Sequence, residues 1–133
     1  MKSYMTREQA EVWVASLADR NGMLVDEYIR PLVAALTRLG VQTTMSCHGH
    51  EILMEPCPWV EFTHRDLPYV AQLVAKQNRP HKNDGSRNEN WWTLFPAGDK
   101  IKLIPLDRKR HLAKLRTGAY EFAEFLHEIA DRG

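Results

Sequence analysis

The apolar residues near the end of the chain recur at alternating steps of three and four, which is the spacing of one face of an α-helix. They are Leu112, Leu115, Ala119, Phe122, Leu126 and Ile129. This continuous stripe predicts a long C-terminal helix whose apolar face packs on a core, with Leu112, Leu115, Phe122, Leu126 and Ile129 buried. Gly118 interrupts the stripe at a cost of about 1 kcal/mol relative to alanine, which is tolerable where packing is tight.

Two shorter helices are predicted at the start of the chain. Thr6 and Gln9 form a capping box in which each side chain satisfies a backbone amide at the start of the first helix. Asn21-Gly22 is expected to end that helix, because both residues tolerate the left-handed cap conformation. Asp26 is the expected N-cap of a second helix that runs to Gly40.

Four strands are predicted in two pairs. They cover residues 41–45 and 59–63, then 91–95 and 101–104, with a short extended piece at 52–54. A third helix, capped by Asp66, separates the two pairs. The segment Pro96-Ala97-Gly98-Asp99 is typical of a hairpin turn and joins the last two strands.

The element order is therefore ααββαββα. Because this order is a cyclic permutation of the ferredoxin-like order, we expect an α+β two-layer sandwich with a four-stranded sheet and helices on one face. The 133 residues, of which 44% are apolar and 26% charged, fit a single domain over residues 1–133.

Neither the first residues nor any later run indicates export or a membrane. Residues 1–7 lack the apolar core of a signal peptide, and no apolar run approaches the ~20 residues that span a bilayer. The net charge of +1 suggests neither nucleic acid nor membrane. We therefore expect a cytoplasmic protein in which Cys47 and Cys57 are thiols, whereas a secreted protein would allow a disulfide between them.

The loop after the first strand, Ser46-Cys47-His48-Gly49-His50, concentrates reactive side chains around one glycine. Thiolate and imidazole groups together suit zinc, which accepts four such ligands in a tetrahedral arrangement. The set that we would test first is Cys47, His50, Cys57 and His64. Gly49 would permit the tight turn within this loop by adopting a positive φ.

Three other interpretations of the loop stay open. The end of the strand presents a hydroxyl, a thiol, backbone amides and an imidazole, which can hold an anion or a carbonyl oxygen. Cys47 beside His48 or His50 could be an activated thiolate, since an adjacent base lowers the pKa of a thiol. In the third interpretation Cys47 is a small buried apolar residue and the histidines are solvated. The leading hypothesis is a small intracellular domain that binds a metal or an anionic small ligand at Ser46–His50, and whether it is an enzyme stays open.

A resemblance to known proteins rests on the same loop. Residues 43–50, followed by Pro58-Trp59-Val60-Glu61-Phe62, resemble a loop and strand of small bacterial and phage proteins that carry Ser-Cys-x-Gly-His. The loop is also distantly similar to the Thr-x-Ser-Cys-Ser-Gly-Arg segment of the wybutosine-synthesising tRNA methyltransferase, with His50 in place of the arginine. That similarity implies a site for S-adenosylmethionine or tRNA around Ser46 to Gly49. It covers residues 43–50 of 133, and we do not carry the methyltransferase activity over.

An alternative function arises from the basic residues. Residues 100–116 contain seven Lys or Arg and one Asp. A non-catalytic module could therefore bind protein or nucleic acid with its sheet face and a basic C-terminal helix. The residues proposed for nucleic-acid contact are Arg87, Lys100, Lys102, Arg108, Lys109 and Arg110. One of Trp91 and Trp92 should enter the core, and the other would suit base stacking or a homo-oligomer interface.

Overall fold

The computed structural model describes residues 5–18, 21–50, 57–79 and 88–132. Within these ranges lie the helices α1 (Arg7–Ser16), α2 (Arg30–Arg38), α3 (Leu67–Gln77) and α4 (Leu112–Arg132). The strands are β1 (Thr43–Cys47), β2 (Trp59–Thr63), β3 (Trp92–Ala97) and β4 (Lys100–Pro105). Single turns of 3-10 helix, Glu27–Ile29 and His64–Asp66, precede α2 and α3. The predicted order and the α+β class are confirmed.

The four strands form one antiparallel sheet in the order β1-β2-β4-β3. Each neighbouring pair is antiparallel, so β2 and β3 run in the same direction with β4 between them. Helix α3 joins β2 to β3, which makes the split βαβ unit of ferredoxin-like folds. The sheet order therefore agrees with the permuted ferredoxin-like arrangement expected from the sequence.

One face of the sheet packs against the helices. On β2, Val60 and Phe62 lie opposite Leu103 and Ile101 of β4. These four side chains belong to the main core cluster, which also contains apolar residues from all four helices. Because side chains alternate along a strand, the residues between them, such as Lys102, face the other side of the sheet.

The predicted apolar stripe forms the buried face of α4. Leu115, Phe122 and Leu126 are at most 4% exposed. Leu112 and Ile129, at the two ends of the stripe, are only half-buried. The prediction is therefore confirmed for the middle of the helix and is too strong at its ends.

Tight packing accounts for the glycine within α4. Nδ2 of Asn90 donates to the carbonyl oxygen of Gly118 at 2.7 Å, and a Cβ on Gly118 would lie 2.6 Å from Oδ1 of Asn90. The same Oδ1 accepts a hydrogen bond from Nε1 of Trp92 at 2.8 Å. Trp92 is 1% exposed and is the tryptophan that enters the core, whereas Trp91 is half-buried.

Helix α1 begins as predicted and ends earlier than predicted. The capping box at Thr6 is formed. The helix stops at Ser16, and Ala18 then pairs with Leu24 in an isolated antiparallel bridge. The Asn-Gly pair expected to cap the helix lies between these two residues, with φ of +78° at Gly22. It therefore reverses the chain between the bridged residues.

The start of α2 leaves Asp26 available to another part of the chain. Pro31, which has no amide hydrogen, lies in the first turn of α2, after the 3-10 turn. The side chain of Asp26 does not cap the helix, contrary to the prediction. Its carboxylate accepts the backbone N–H of His48 at 3.2 Å. Asp66 likewise precedes α3 without a side-chain cap, and its carboxylate accepts the amide of Gln42 at 3.1 Å.

The hairpin between β3 and β4 is tighter than predicted. Strand β3 continues to Ala97, which lies opposite Lys100. The turn is therefore Gly98-Asp99, with φ of +66° at Gly98. The extended piece predicted at 52–54 lies outside the described residues. In the described ranges, no helix combines the length and the apolar character needed to cross a bilayer.

Candidate functional site

The candidate loop follows directly on β1, which ends at Cys47 opposite Trp59 of β2. Cys47 and Cys57 are 3% and 2% exposed. They belong to a small apolar cluster that also contains Trp59, Ile104 and Leu115. Neither thiol takes part in a disulfide bond. Because burial shields the sulfur from a substrate, this position does not favour Cys47 as a nucleophile.

Gly49 determines the path of the loop. Its φ is +82°, and a Cβ there would lie 2.6 Å from Cδ1 of Leu112 and 2.9 Å from the carbonyl carbon of Cys57. Its amide points back to the sulfur of Cys47 at 3.4 Å. Both the left-handed backbone and the lack of space require glycine here. The positive φ predicted for Gly49 is therefore confirmed.

Arg116 of α4 holds the loop from the other side. Its Nε donates to the carbonyl oxygen of His48 at 2.9 Å, and its Nη2 donates to that of Gly49 at 2.7 Å. The guanidinium carbon also lies 4.5 Å from the ring centroid of Tyr28. In the sequence, Arg116 stands out only as one of the seven Lys or Arg in residues 100–116. Its partner Gly49 is 67 residues away in the sequence, so the spacing of neighbouring residues does not indicate this contact.

The environment of His48 selects one form of its ring. The backbone amide of Tyr28 donates to Nδ1 of His48 at 3.3 Å, so Nδ1 carries a lone pair. Burial lowers the pKa of His48, against the opposing effect of the Asp26 carboxylate. The ring is therefore neutral at neutral pH, and its proton is on Nε2. In this state His48 can donate a hydrogen bond at Nε2.

Asp26, His48 and His50 form a group of potential metal ligands. Within the described part of the chain, one ligand atom from each residue lies within 4.8 Å of the other two. The rings of His48 and His50 meet edge to face with centroids 5.4 Å apart. His50 is exposed, and the other two residues are half-buried. One carboxylate and two imidazoles are a donor set of zinc and non-haem iron sites.

The metal set predicted from the sequence is not brought together. Cys47 lies opposite Trp59 at the first residue of β2, whereas His64 follows the last residue of that strand, Thr63. At about 3.3 Å per residue, Trp59 and Thr63 are roughly 13 Å apart. Asp26 joins the histidines in this structure. From the sequence, Asp26 was predicted to be the N-cap of the second helix. It precedes His48 by 22 residues, so local spacing does not indicate their contact.

Ser46 belongs to the strand rather than to the loop. It lies opposite Val60 on β1 and is half-buried. The loop itself therefore begins at His48, after the last residue of β1. An S-adenosylmethionine or tRNA site around Ser46–Gly49 stays a prediction.

The basic residues are arranged differently from the expected basic helix. Helix α4 starts at Leu112, so in the basic stretch only Lys114 and Arg116 lie on it. The others belong to β4 and the connection after it: Lys100, Lys102, Arg108, Lys109 and Arg110. Arg87 lies outside the described residues. The expectation of a basic C-terminal helix was therefore wrong.

Several of these cations already have partners. Lys100 pairs with Asp99 at 3.0 Å, and Nη1 of Arg110 donates to the backbone oxygen of Glu89 at 3.1 Å. Nζ of Lys102 lies 4.0 Å from the ring centroid of Trp59. Lys109 is exposed. The charges of Lys100 and Arg110 are thus partly balanced by the carboxylates of Asp99 and Glu89.

Neither protein-family models nor curated proteins nor solved structures gave a match to this chain.

Proposed function

We propose that the protein binds a divalent transition-metal ion through Asp26, His48 and His50. The observation that carries this proposal is the proximity of their ligand atoms, which all lie within 4.8 Å of one another. Bonds of about 2.1 Å to zinc bring ligand atoms to about 3.4 Å from one another in a tetrahedral site. Rotation of the exposed His50 ring and small shifts of its neighbours can bring the ligand atoms from their present separations to this shorter distance.

The local charge favours a metal ion over an anion bound directly by the loop. The carboxylates of Asp26 and Glu27 both act on the ring of His48. The nearest guanidinium, that of Arg116, is engaged with the two loop carbonyls. A cation gains from the carboxylates, whereas a free anion would be repelled by them.

Metal binding at His48 requires one hydrogen bond to break. A metal bound at Nδ1 uses the lone pair that accepts the Tyr28 amide at 3.3 Å. A metal bound at Nε2 displaces the proton from Nε2 to Nδ1, and Nδ1 can then no longer accept a hydrogen bond from that amide. A hydrogen bond of this kind contributes about 1 kcal/mol. A structural zinc site in a small peptide contributes about 10 kcal/mol or more. The balance therefore favours the metal.

Three protein ligands leave at least one coordination position for water or a substrate oxygen. This is the arrangement of catalytic zinc sites, whereas structural sites use four protein ligands. The proposal therefore includes an enzymatic role in which the metal ion activates a water molecule or polarises an oxygen. It also assigns the protein to the cytoplasm, where thiols such as Cys47 and Cys57 stay reduced.

Metal analysis of protein without an affinity tag tests the proposal. After dialysis against zinc and then metal-free buffer, we expect about one zinc ion per chain, and calorimetric titration should measure its affinity. His50→Ala and Asp26→Asn should weaken zinc binding at least tenfold. His64→Ala removes an exposed histidine outside the group and serves as the control, with unchanged affinity. Cys47→Ser should also keep the metal.

Two outcomes would overturn the metal site. One is zinc binding to His50→Ala with the affinity of the parent protein. The other is loss of zinc from Cys47→Ser while the circular dichroism spectrum is unchanged, since this would return the site to the thiols.

A second candidate function is supported by Phe95 on the sheet face opposite the helices. Its ring is 50% exposed. Lys102 lies opposite it on β4, and the guanidinium carbon of Arg108 is 6.0 Å from its centroid. An exposed aromatic ring beside two cations suits the stacking of a base next to its phosphate.

Fluorescence anisotropy with a labelled twelve-nucleotide RNA tests this second candidate. We expect weak, salt-dependent binding that Phe95→Ala and Arg108→Ala both reduce. Leu106→Ala, which removes another half-exposed apolar side chain, is the control. Binding that is the same for Phe95→Ala and for the parent protein would eliminate this use of the sheet.

A further inference from the structure

A groove beside the candidate metal site is shaped to take a small molecule. It has a volume of about 580 Å³, within the usual range of ligand pockets. Its lining comes from the 3-10 turn Glu27–Ile29, the start of α2 and the first half of α4: Tyr28, Pro31, Ala113, Arg116, Thr117 and Tyr120. We call it the tyrosine groove, because its two large side chains are tyrosines that are each about half exposed.

Arg116 connects the tyrosine groove to the metal site. Nε and Nη2 donate to the carbonyl oxygens of His48 and Gly49, and these bonds fix the position of the guanidinium. A guanidinium has five N–H donors, and two are used here. No described residue accepts a hydrogen bond from Nη1 of Arg116. A pre-positioned cation with unused donors is therefore exposed to the groove, where a carboxylate or phosphate can bind it.

The remaining walls favour a flat, apolar ring. The ring of Tyr28 contacts the guanidinium of Arg116, 4.5 Å from its centroid, and lies near the imidazole of His48, whose centroid is 5.3 Å away. Tyr120 and Pro31 add further apolar surface. Glu27 also lies on the lining, and its carboxylate disfavours a ligand with a second acidic group.

We propose that the tyrosine groove binds a small aromatic compound with a single acidic group, the ring lying against Tyr28 and Tyr120 and the acidic group at Arg116. This inference names the class of ligand for the proposed metal site. It rests on the proposed function in one respect, because the acidic group makes its second contact with the metal ion. A metal ion bound at His48 would add a second contact to an acidic group held by Arg116, because Arg116 is hydrogen-bonded to the carbonyl oxygen of His48. The metal ion and the guanidinium together would outweigh the charge of Glu27.

Calorimetric titration with phenyl phosphate, and with its two halves phenol and inorganic phosphate, tests the proposal. We expect phenyl phosphate to bind the zinc-loaded protein at least tenfold more tightly than either half. Tyr120→Ala should weaken phenyl phosphate at least fivefold and leave the zinc affinity unchanged. Tyr69→Ala, an exposed tyrosine on α3 outside the groove, is the matched control and should change neither.

Comparison with the zinc titration, made without a chelator, separates the two proposals. If that titration shows no zinc binding, while phenyl phosphate still binds and Tyr120→Ala still weakens it, the groove is supported and the metal site is overturned. If zinc binds but phenyl phosphate is no tighter than inorganic phosphate, or is indifferent to Tyr120→Ala, the groove proposal is wrong and the metal site stands. Arg116→Lys keeps the positive charge but cannot bond the carbonyl oxygens of His48 and Gly49 and the ligand in the same geometry. It should therefore weaken the binding of phenyl phosphate more than the binding of phenol.

Discussion

The backbone amide of Tyr28 donates a hydrogen bond to Nδ1 of His48 at 3.3 Å. An amide can only donate, so this contact assigns the lone pair to Nδ1 and the proton of the neutral ring to Nε2. Tyr28 is 20 residues from His48 in the sequence, and only the fold brings the two together. The state of the histidine is thus selected by a residue that also lines the tyrosine groove.

The amide of Tyr28 should report metal binding directly. We expect its resonance in a two-dimensional ¹⁵N–¹H spectrum to be among those that shift most when zinc is added, because metal binding at His48 breaks its hydrogen bond. Magnesium, which prefers oxygen ligands in an octahedral shell, is the control and should leave the resonance in place. If the Tyr28 resonance stays unchanged at saturating zinc, the metal does not bind His48.

Replacing Gly49 should cost more than replacing another glycine with the same backbone conformation. Gly49 and Gly40 have φ of +82° and +83°, but a Cβ on Gly40 would meet nothing within 4 Å. We expect Gly40→Ala to lower the free energy of unfolding by about 1–2 kcal/mol, the cost of a left-handed residue with a side chain. Gly49→Ala adds overpacking against Leu112, worth about 1–3 kcal/mol more. Urea denaturation measures both, and equal losses would mean that the loop can move away from α4.

Leu115 should be a major contributor to stability. It is 4% exposed and packs with Cys47, Cys57 and Trp59. We expect Leu115→Ala to lower the free energy of unfolding by about 2–5 kcal/mol through lost burial and a residual cavity. Leu106→Ala, at a 50% exposed position, is the control and should change it by less than about 0.5 kcal/mol. A loss below about 1 kcal/mol for Leu115→Ala would mean that the cavity collapses or that this face is not core.

His127 should make the fold sensitive to mild acid. It is 2% exposed, and Nη1 of Arg38 lies 3.0 Å from its Nδ1. Burial, and then the charges of Arg7 and Arg38, lower its pKa below the value of about 6.5 that the unfolded chain has. The unfolded state therefore binds more protons in this range. The contribution of neutral His127 to the free energy of unfolding is fully present above about pH 6.5. It is lost as the pH falls from there through the lower pKa that His127 has in the folded state.

Denaturation at a series of pH values checks this expectation. His127→Asn keeps an acceptor for Arg38 and removes the titrating ring, so it should flatten the loss of stability between about pH 6.5 and pH 5. Part of the slope should remain, because burial also lowers the pKa of His48. A variant with the same slope as the parent protein would exclude His127 as a source of the pH dependence.

The main elements of the fold could be predicted from the sequence because their signals are local. The spacing from Leu112 to Ile129 indicates one face of a long helix, and the capping box at Thr6 satisfies amides within one turn. Strand β2 was predicted with its observed bounds, and the order of elements led to the α+β class with one four-stranded sheet. Element ends were less well predicted. At Ser16 a bridge between Ala18 and Leu24 decides where the helix stops.

The sequence by itself also determined where the loop lies and why it contains a glycine, because a strand followed by Cys-His-Gly-His is a local pattern and a positive φ is a property of one residue. Only the tertiary structure decided which side chains meet there. Asp26 and Arg116 reach the loop from 22 and 68 residues away, and His64 lies at the far end of β2 from Cys47. Ligand sets depend on distances in space. Strand register and the packing of α4 set those distances, and neither is encoded in the spacing of the residues concerned.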